Sequence, residues 1–152
     1  MKRVLYHTSS AEQTIELGRT IARTLPEQAV VLLIGNLGAG KTTFAKGMVS
    51  ELTGSDPDEV SSPTFTLIHE YCARVYHIDL YRLDNPQQVA TLGLDDIFDR
   101  QAVVLIEWGE RFLEWMPRER IEIRLEVTPG GSDDQRTIEV TRQSLLSSDP
   151  AP

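Results

Sequence analysis

The order of apolar and polar positions changes period several times along the chain. Ala29-Val30-Val31-Leu32-Leu33-Ile34 and Ala102-Val103-Val104-Leu105-Ile106 are unbroken apolar runs, as expected of strands covered on both faces. Around the first run the period is helical. Ala11, Ile15, Gly18, Ala22 and Leu25 recur at steps of four and three, with Ser9 and Glu12 as a capping box and Pro26 as the stop. Phe44, Met48, Val49 and Leu52 recur in the same way until Gly54. Strict alternation marks a third kind of segment. Ile121, Ile123, Leu125 and Val127 alternate with Glu122, Arg124 and Glu126, which predicts a half-exposed strand. Its partner over 137–141 follows the turn Pro129-Gly130-Gly131.

Shorter segments complete the pattern. Residues 3–7 read as an edge strand, and 65–71 and 74–80 as a hairpin, although Cys72-Ala73 is a poor two-residue turn. Pro86 takes the first position of a short helix that ends before Gly93. Residues 94–99 and 110–115 read as further helical pieces, the second closed by Pro117. Residues 53–64 form a long loop, of a length that is often functional. Strands alternating with helices predict a three-layer α/β/α domain with a mixed central sheet. It is expected to fill residues 1–146 as one domain, leaving 147–152 as a frayed tail.

The first apolar strand runs directly into Gly35-Asn36-Leu37-Gly38-Ala39-Gly40-Lys41-Thr42, which fits the phosphate-binding pattern G-x-x-x-x-G-K-[ST] without mismatch. Glycines let the backbone turn so that successive N–H groups converge on phosphate oxygens. Lys41 is placed to reach the terminal phosphates, and the Thr42 hydroxyl to ligate Mg²⁺. Such a site needs a second acid, usually at the end of a buried strand. Asp79 and Glu107 both qualify, and either could meet the metal while the other positions water or holds Thr42. Thr64 lies in the long loop, where a hydroxyl could sense the γ-phosphate or its Mg²⁺. Trp108 could cover the nucleotide or pack in the core. Arg82 has a catalytic reading and a surface reading of equal weight, while His69 and His77 lack metal-ligand spacing and read as structural histidines.

Composition narrows the classes. The chain has 152 residues and a net charge of −8, which argues against its holding nucleic acid by itself. The single Cys72 excludes an internal disulfide, and no apolar run approaches membrane-spanning length, so a cytoplasmic protein is expected. The guanine-reading segment N-K-x-D and the D-x-x-G switch of GTPases do not occur, and no arginine-rich lid of a small-molecule kinase is visible.

Four segments carry a resemblance. Gly35 to Thr43 (GNLGAGKTT), Ser62 to Thr66 (SPTFT), His77 to Leu83 (HIDLYRL) and Ile106 to Trp108 (IEW) stand in the order and spacing of the bacterial TsaE (YjeE) family, which the chain resembles over residues 9–141. The resemblance implies a small Mg²⁺- and ATP-dependent P-loop ATPase. It would serve threonylcarbamoyl modification of adenosine 37 in tRNAs that read codons starting with A. It implies docking on a TsaD–TsaB pair, indirect contact with tRNA, and no carbamoyl transfer by the chain itself. By the same resemblance, Leu37, Gly38, Ala39, Gly40, Lys41 and Thr42 hold phosphates, Thr43 joins them in binding ATP, and Thr42 and Glu107 serve the metal. Asp79 and Thr64 take part in catalysis or sensing, and Trp108, Ser10, Ala11 and Arg136 lie beside the nucleotide. Asn36 replaces an aspartate common in the family, at a loop position expected to face solvent.

Overall fold

A computed structural model describes residues 2–63 and 66–143. Seven strands form one sheet: β1 (Lys2–Thr8), β2 (Ala29–Ile34), β3 (Ile68–Tyr71), β4 (Val75–Asp79), β5 (Val103–Glu107), β6 (Arg120–Val127) and β7 (Arg136–Gln143). Their order is β1-β7-β6-β2-β5-β4-β3. β6, β2, β5 and β4 are mutually parallel, and antiparallel strands close both edges. The mixed sheet expected from the sequence is therefore present.

Alternation along the central strands divides the interior into two layers. Val31 and Leu33 of β2, with Val103 and Leu105 of β5, face α1 (Ala11–Ala22) and α2 (Lys41–Thr53). Val30, Leu32, Val104 and Ile106 face α3 (Pro86–Ala90), α4 (Leu94–Phe98) and a 3₁₀ segment over Gly109–Trp115. Leu32 and Leu33 are both fully buried. Covering such a side chain from water contributes about 1.5–3 kcal/mol, which is why the run carries no polar residue.

α1 crosses α2 at glycines. A Cβ on Gly47 would come within 2.0 Å of the Ile15 carbonyl oxygen, and one on Gly18 within 2.4 Å of that of Phe44. The helices thus meet backbone to backbone, bringing the start of α1 beside the start of α2.

Several boundaries differ from the sequence expectation, each for a local reason. The N-cap of α1 is Ser10, whose hydroxyl accepts from Gln13 N–H, while the Gln13 side chain accepts from Ser9 N–H. The expected box of Ser9 and Glu12 is thus replaced by a Ser10 cap, with Gln13 reaching past it to Ser9. The buried face of α1 accordingly includes Thr14 and Ile21 with Gly18 and Ala22, and Ala11 is exposed. Cys72 and Ala73 both adopt positive φ (57° and 56°), the mirror-image turn that suits a twisted hairpin, so β3 and β4 pair despite the unusual turn residues. Residues 110–115 are not an α-helix: the segment is 3₁₀ and breaks at Phe112 (φ −136°). Glu122 was expected on the exposed side of β6 but is buried, held by Arg120 at 2.8 Å and Arg124 at 3.3 Å. The 53–64 loop carries a short 3₁₀ turn at Pro57–Glu59 and buries Val60. Residues 144–152, including the expected tail, lie outside the described residues, as do Thr64 and Phe65. Among the described residues, no helix is long and apolar enough to cross a membrane.

Candidate functional site

Register places the site. Leu33 of β2 pairs with Glu107 of β5, which pairs with Asp79 of β4. The three strands therefore end at one level, and the loop from Gly35 rises from the middle of them. Neighbours in register share a face, and residues two apart on a strand share a face. His77, Asp79 and Glu107 thus lie on the side of Leu105 and Leu33, where α2 begins. Sheets of this kind take ligands at this end of the parallel strands.

The loop has the form that the glycine pattern requires. Gly38 (φ 80°) and Gly40 (φ 104°) are left-handed, a region that side-chain-bearing residues rarely occupy. Nothing stands within 4 Å of where a Gly38 Cβ would be, so the backbone there is open to an incoming group. Gly40 caps α2 without any side-chain hydrogen bond. The first N–H groups of the helix are thereby left for an anion, which the helix dipole also favours. Leu37 is exposed at the loop tip, and Asn36 faces solvent as expected.

Arg136, the first residue of β7, reaches the loop from the side. Its Nε donates to the Ala39 carbonyl at 3.0 Å and its Nη2 to that of Gly38 at 3.3 Å, and Nη1 donates to the Asp133 carbonyl. Ser10, Ala11, Thr43 and Arg136 line one small cleft beside Gly40.

Lys41 is buried, with only 5% of its surface exposed. Its ammonium donates to the Gly35 carbonyl at 2.7 Å and lies 3.4 Å from the centroid of the Trp108 ring. Burial pushes its pKa below the ordinary lysine range, against the opposing pull of Glu107, Glu110 and Asp79. Trp108 adopts positive φ (68°) and leans on Tyr81, ring centres 5.1 Å apart. A bulky residue held in that conformation is strained, and such strain clusters at functional sites. Its ring packs partly against the core and faces Lys41.

The acids differ in their partners. Glu107 is 3% exposed. Thr42 Oγ1 stands 3.3 and 3.4 Å from its two oxygens, and His77 Nε2 lies 2.7 Å from Oε2. Asp79 accepts from the Ser62 hydroxyl at 3.0 Å and from Tyr81 N–H at 2.8 Å. It thus ties the long loop to the strand end, whereas Glu107 is the acid beside Thr42. Two oxygens that share one octahedral Mg²⁺ at roughly 2.0–2.1 Å stand about 3 Å apart, so Thr42 and Glu107 fit a Mg²⁺ site. Among the described residues, no group of three or more His, Cys, Asp or Glu could hold a metal. One carboxylate and one hydroxyl suit a Mg²⁺ that takes its other ligands from phosphate and water.

Four residues at the site carry roles the sequence reading did not give them. Ser62 bonds Asp79, Tyr81 supports Trp108, and His77 bonds Glu107. For His77 the signal was present, since it stands two residues before Asp79 and so on the same face. Glu110 belongs to the same field, because Lys41 feels its charge, and burial pushes its carboxyl above the usual range. Its Oε1 is buried without a hydrogen bond. Arg82 is exposed beyond the strand end. Thr64 lies outside the described residues.

A larger cleft lies at the opposite end of the sheet, where Ala29 and Arg120 begin β2 and β6. Its arginines are engaged within the chain, Arg120 with Glu122 and Arg142 with Thr24.

Comparison with known proteins bears on the same residues. Residues 8–138 match the family model described as threonylcarbamoyl adenosine biosynthesis protein TsaE. The tRNA threonylcarbamoyladenosine biosynthesis protein TsaE of Bacillus subtilis is 39% identical over 144 residues, covering 93% of this chain and 87% of that protein. The protein of the same name from Nostoc sp. PCC 7120 is 39% identical over 145 residues, covering 91% and 85%. The crystal structure of Bacillus subtilis YdiB superposes with a TM-score of 0.75 at 34% identity, over 94% of this chain and 87% of that one. With the loop, the paired strand ends and these matches in agreement, the chain belongs to the TsaE family.

Proposed function

We propose that the chain is a Mg²⁺-dependent P-loop ATPase, slow on its own, that serves threonylcarbamoyl modification of adenosine 37 in tRNA by acting on a TsaD–TsaB complex. The observation that carries this reading is the juxtaposition of Thr42 with Glu107 at the mouth of an uncapped α2, within reach of Lys41. In this reading the backbone of residues 37–42 and Lys41 hold the phosphates, and Thr42 and Glu107 hold Mg²⁺. When bound, the metal neutralises charge on the phosphates. Asp79 orients the attacking water or the 61–63 segment through Ser62. Trp108 covers the site, and Ser10, Ala11 and Arg136 flank the nucleoside side of the loop.

Slow intrinsic turnover is part of this reading. Arg136, beside the loop, is committed to the Gly38 and Ala39 carbonyls, so a partner is expected to supply charge stabilisation. The net charge of −8 favours docking on protein over docking on RNA, and a cytoplasmic location is proposed with that role. Affinity capture with purified TsaD and TsaB tests the reading. Nucleotide-dependent retention of both is expected, and retention of neither, with ATP and Mg²⁺ present, would contradict it.

A further inference from the structure

His77 is fully buried on the face of β4 that packs under α2, between Val75 below and Asp79 above. Leu105 in register on β5 and Val75 on its own strand are apolar, while His69 stands in register on β3. Packing alone would favour an aliphatic side chain there, because an imidazole must be desolvated and each unbonded polar atom costs free energy. That cost is visible: Nδ1 is buried and has no hydrogen-bond partner. The histidine is therefore explained by its other nitrogen, which lies 2.7 Å from Glu107 Oε2.

The unbonded Nδ1 also fixes the proton. A proton on Nδ1 would be a buried donor without an acceptor, so it sits on Nε2 and is donated to Oε2. Among the side-chain contacts of Glu107 this is the short one. The Thr42 hydroxyl stands 3.3 and 3.4 Å away, beyond the usual range for O–H···O bonds. A nearly buried carboxylate held only by those long contacts would be free to rotate about its last torsion. We infer that His77 is a positioning residue for Glu107: its Nε2–H pins Oε2, so that the carboxylate keeps its remaining lone pairs aimed at the Thr42 side, where a divalent cation on a bound nucleotide would sit. The inference rests on the Mg-nucleotide reading of the site. Metal-ligating carboxylates are commonly held by hydrogen bonds of this kind.

The experiment is a titration of a fluorescent ATP analogue against Mg²⁺, with a parallel series in EDTA, on the full chain and on His77→Leu and His77→Gln. His77→Leu is expected to leave metal-free nucleotide affinity unchanged and to raise the Mg²⁺ concentration at half-saturation by about tenfold or more. His77→Gln, which carries an N–H donor at similar reach, is expected to recover most of that loss. A wild-type Mg²⁺ midpoint in His77→Leu, or an equal deficit in both variants, would overturn the role of His77 while leaving the nucleotide reading intact. Failure of the wild-type chain to bind the analogue at all would remove the nucleotide reading itself. Nitrogen NMR of the unsubstituted protein gives a check that no folding defect can blur. A proton on Nε2 is expected, and one on Nδ1 would overturn the inference.

Discussion

The ammonium of Lys41 lies 3.4 Å from the centroid of the Trp108 ring and 2.7 Å from the Gly35 carbonyl oxygen. Within the chain itself, then, Lys41 is held twice. A cation over an indole contributes about 0.5–2 kcal/mol, which a charge-assisted bond to phosphate, about 1.5–3 kcal/mol, can displace. ATP binding is therefore expected to change the emission of Trp108. Trp115 is the other tryptophan, so a Trp115→Phe background isolates the signal. The change should survive in that background and vanish in Trp108→Phe. Lys41→Ala should weaken ATP binding about 10- to 100-fold, read from the same titration.

Gly47 meets the Ile15 carbonyl where α2 crosses α1. Two effects compete in Gly47→Ala. Alanine is the better helix former by about 1 kcal/mol, but its Cβ would sit 2.0 Å from a backbone oxygen, which forces the helices apart. Overpacking of this kind costs about 1–3 kcal/mol or more, and a backbone obstacle cannot rotate away, so the clash wins. The melting temperature should fall by about 2–4 °C for each kcal/mol lost, as calorimetry would record. A rise would mean that the helices do not meet backbone to backbone.

What the sequence disclosed and withheld follows from the range of each interaction. The phosphate loop was legible because its requirements are local: positive φ at Gly38 and Gly40, a buried strand before and a helix after. The central strands were legible because both faces of β2 and β5 are covered, which leaves unbroken apolar runs. The division of labour between Asp79 and Glu107 was not legible from the residues alone. Both end buried strands, and only register and the start of α2 decide that Glu107 meets Thr42 while Asp79 meets Ser62. Glu122 was misplaced because alternation reports the average face of a strand, and Arg120 and Arg124 bring its charge inside. Glu110 was missed because a 3₁₀ segment has no period long enough to read.

Glu110 supplies a pH signature. Burial raises its carboxyl pKa above the ordinary value of 4.5. A raised folded-state pKa means that the folded chain binds the proton more tightly than the unfolded one. The associated stability is present below the unfolded value and is lost as pH rises through the folded value. At pH 7, above the unfolded value, part of that stability is already lost, whereas Glu110→Gln, which cannot ionise, keeps it. The variant should unfold at a higher temperature than wild type at pH 7. The advantage should shrink as pH falls and disappear below about 4. Thermal melts across that range measure it. An advantage independent of pH would show that the carboxyl's ionisation is not the cause.

The role proposed for the Thr42–Glu107 pair is tested most directly by steady-state ATP turnover, measured with and without purified TsaD–TsaB. The expected result is slow hydrolysis by the chain alone, about tenfold or more acceleration by the partners, and loss of both rates in Glu107→Gln. Rapid hydrolysis by the chain alone, unchanged by the partners or indifferent to Glu107, would contradict it.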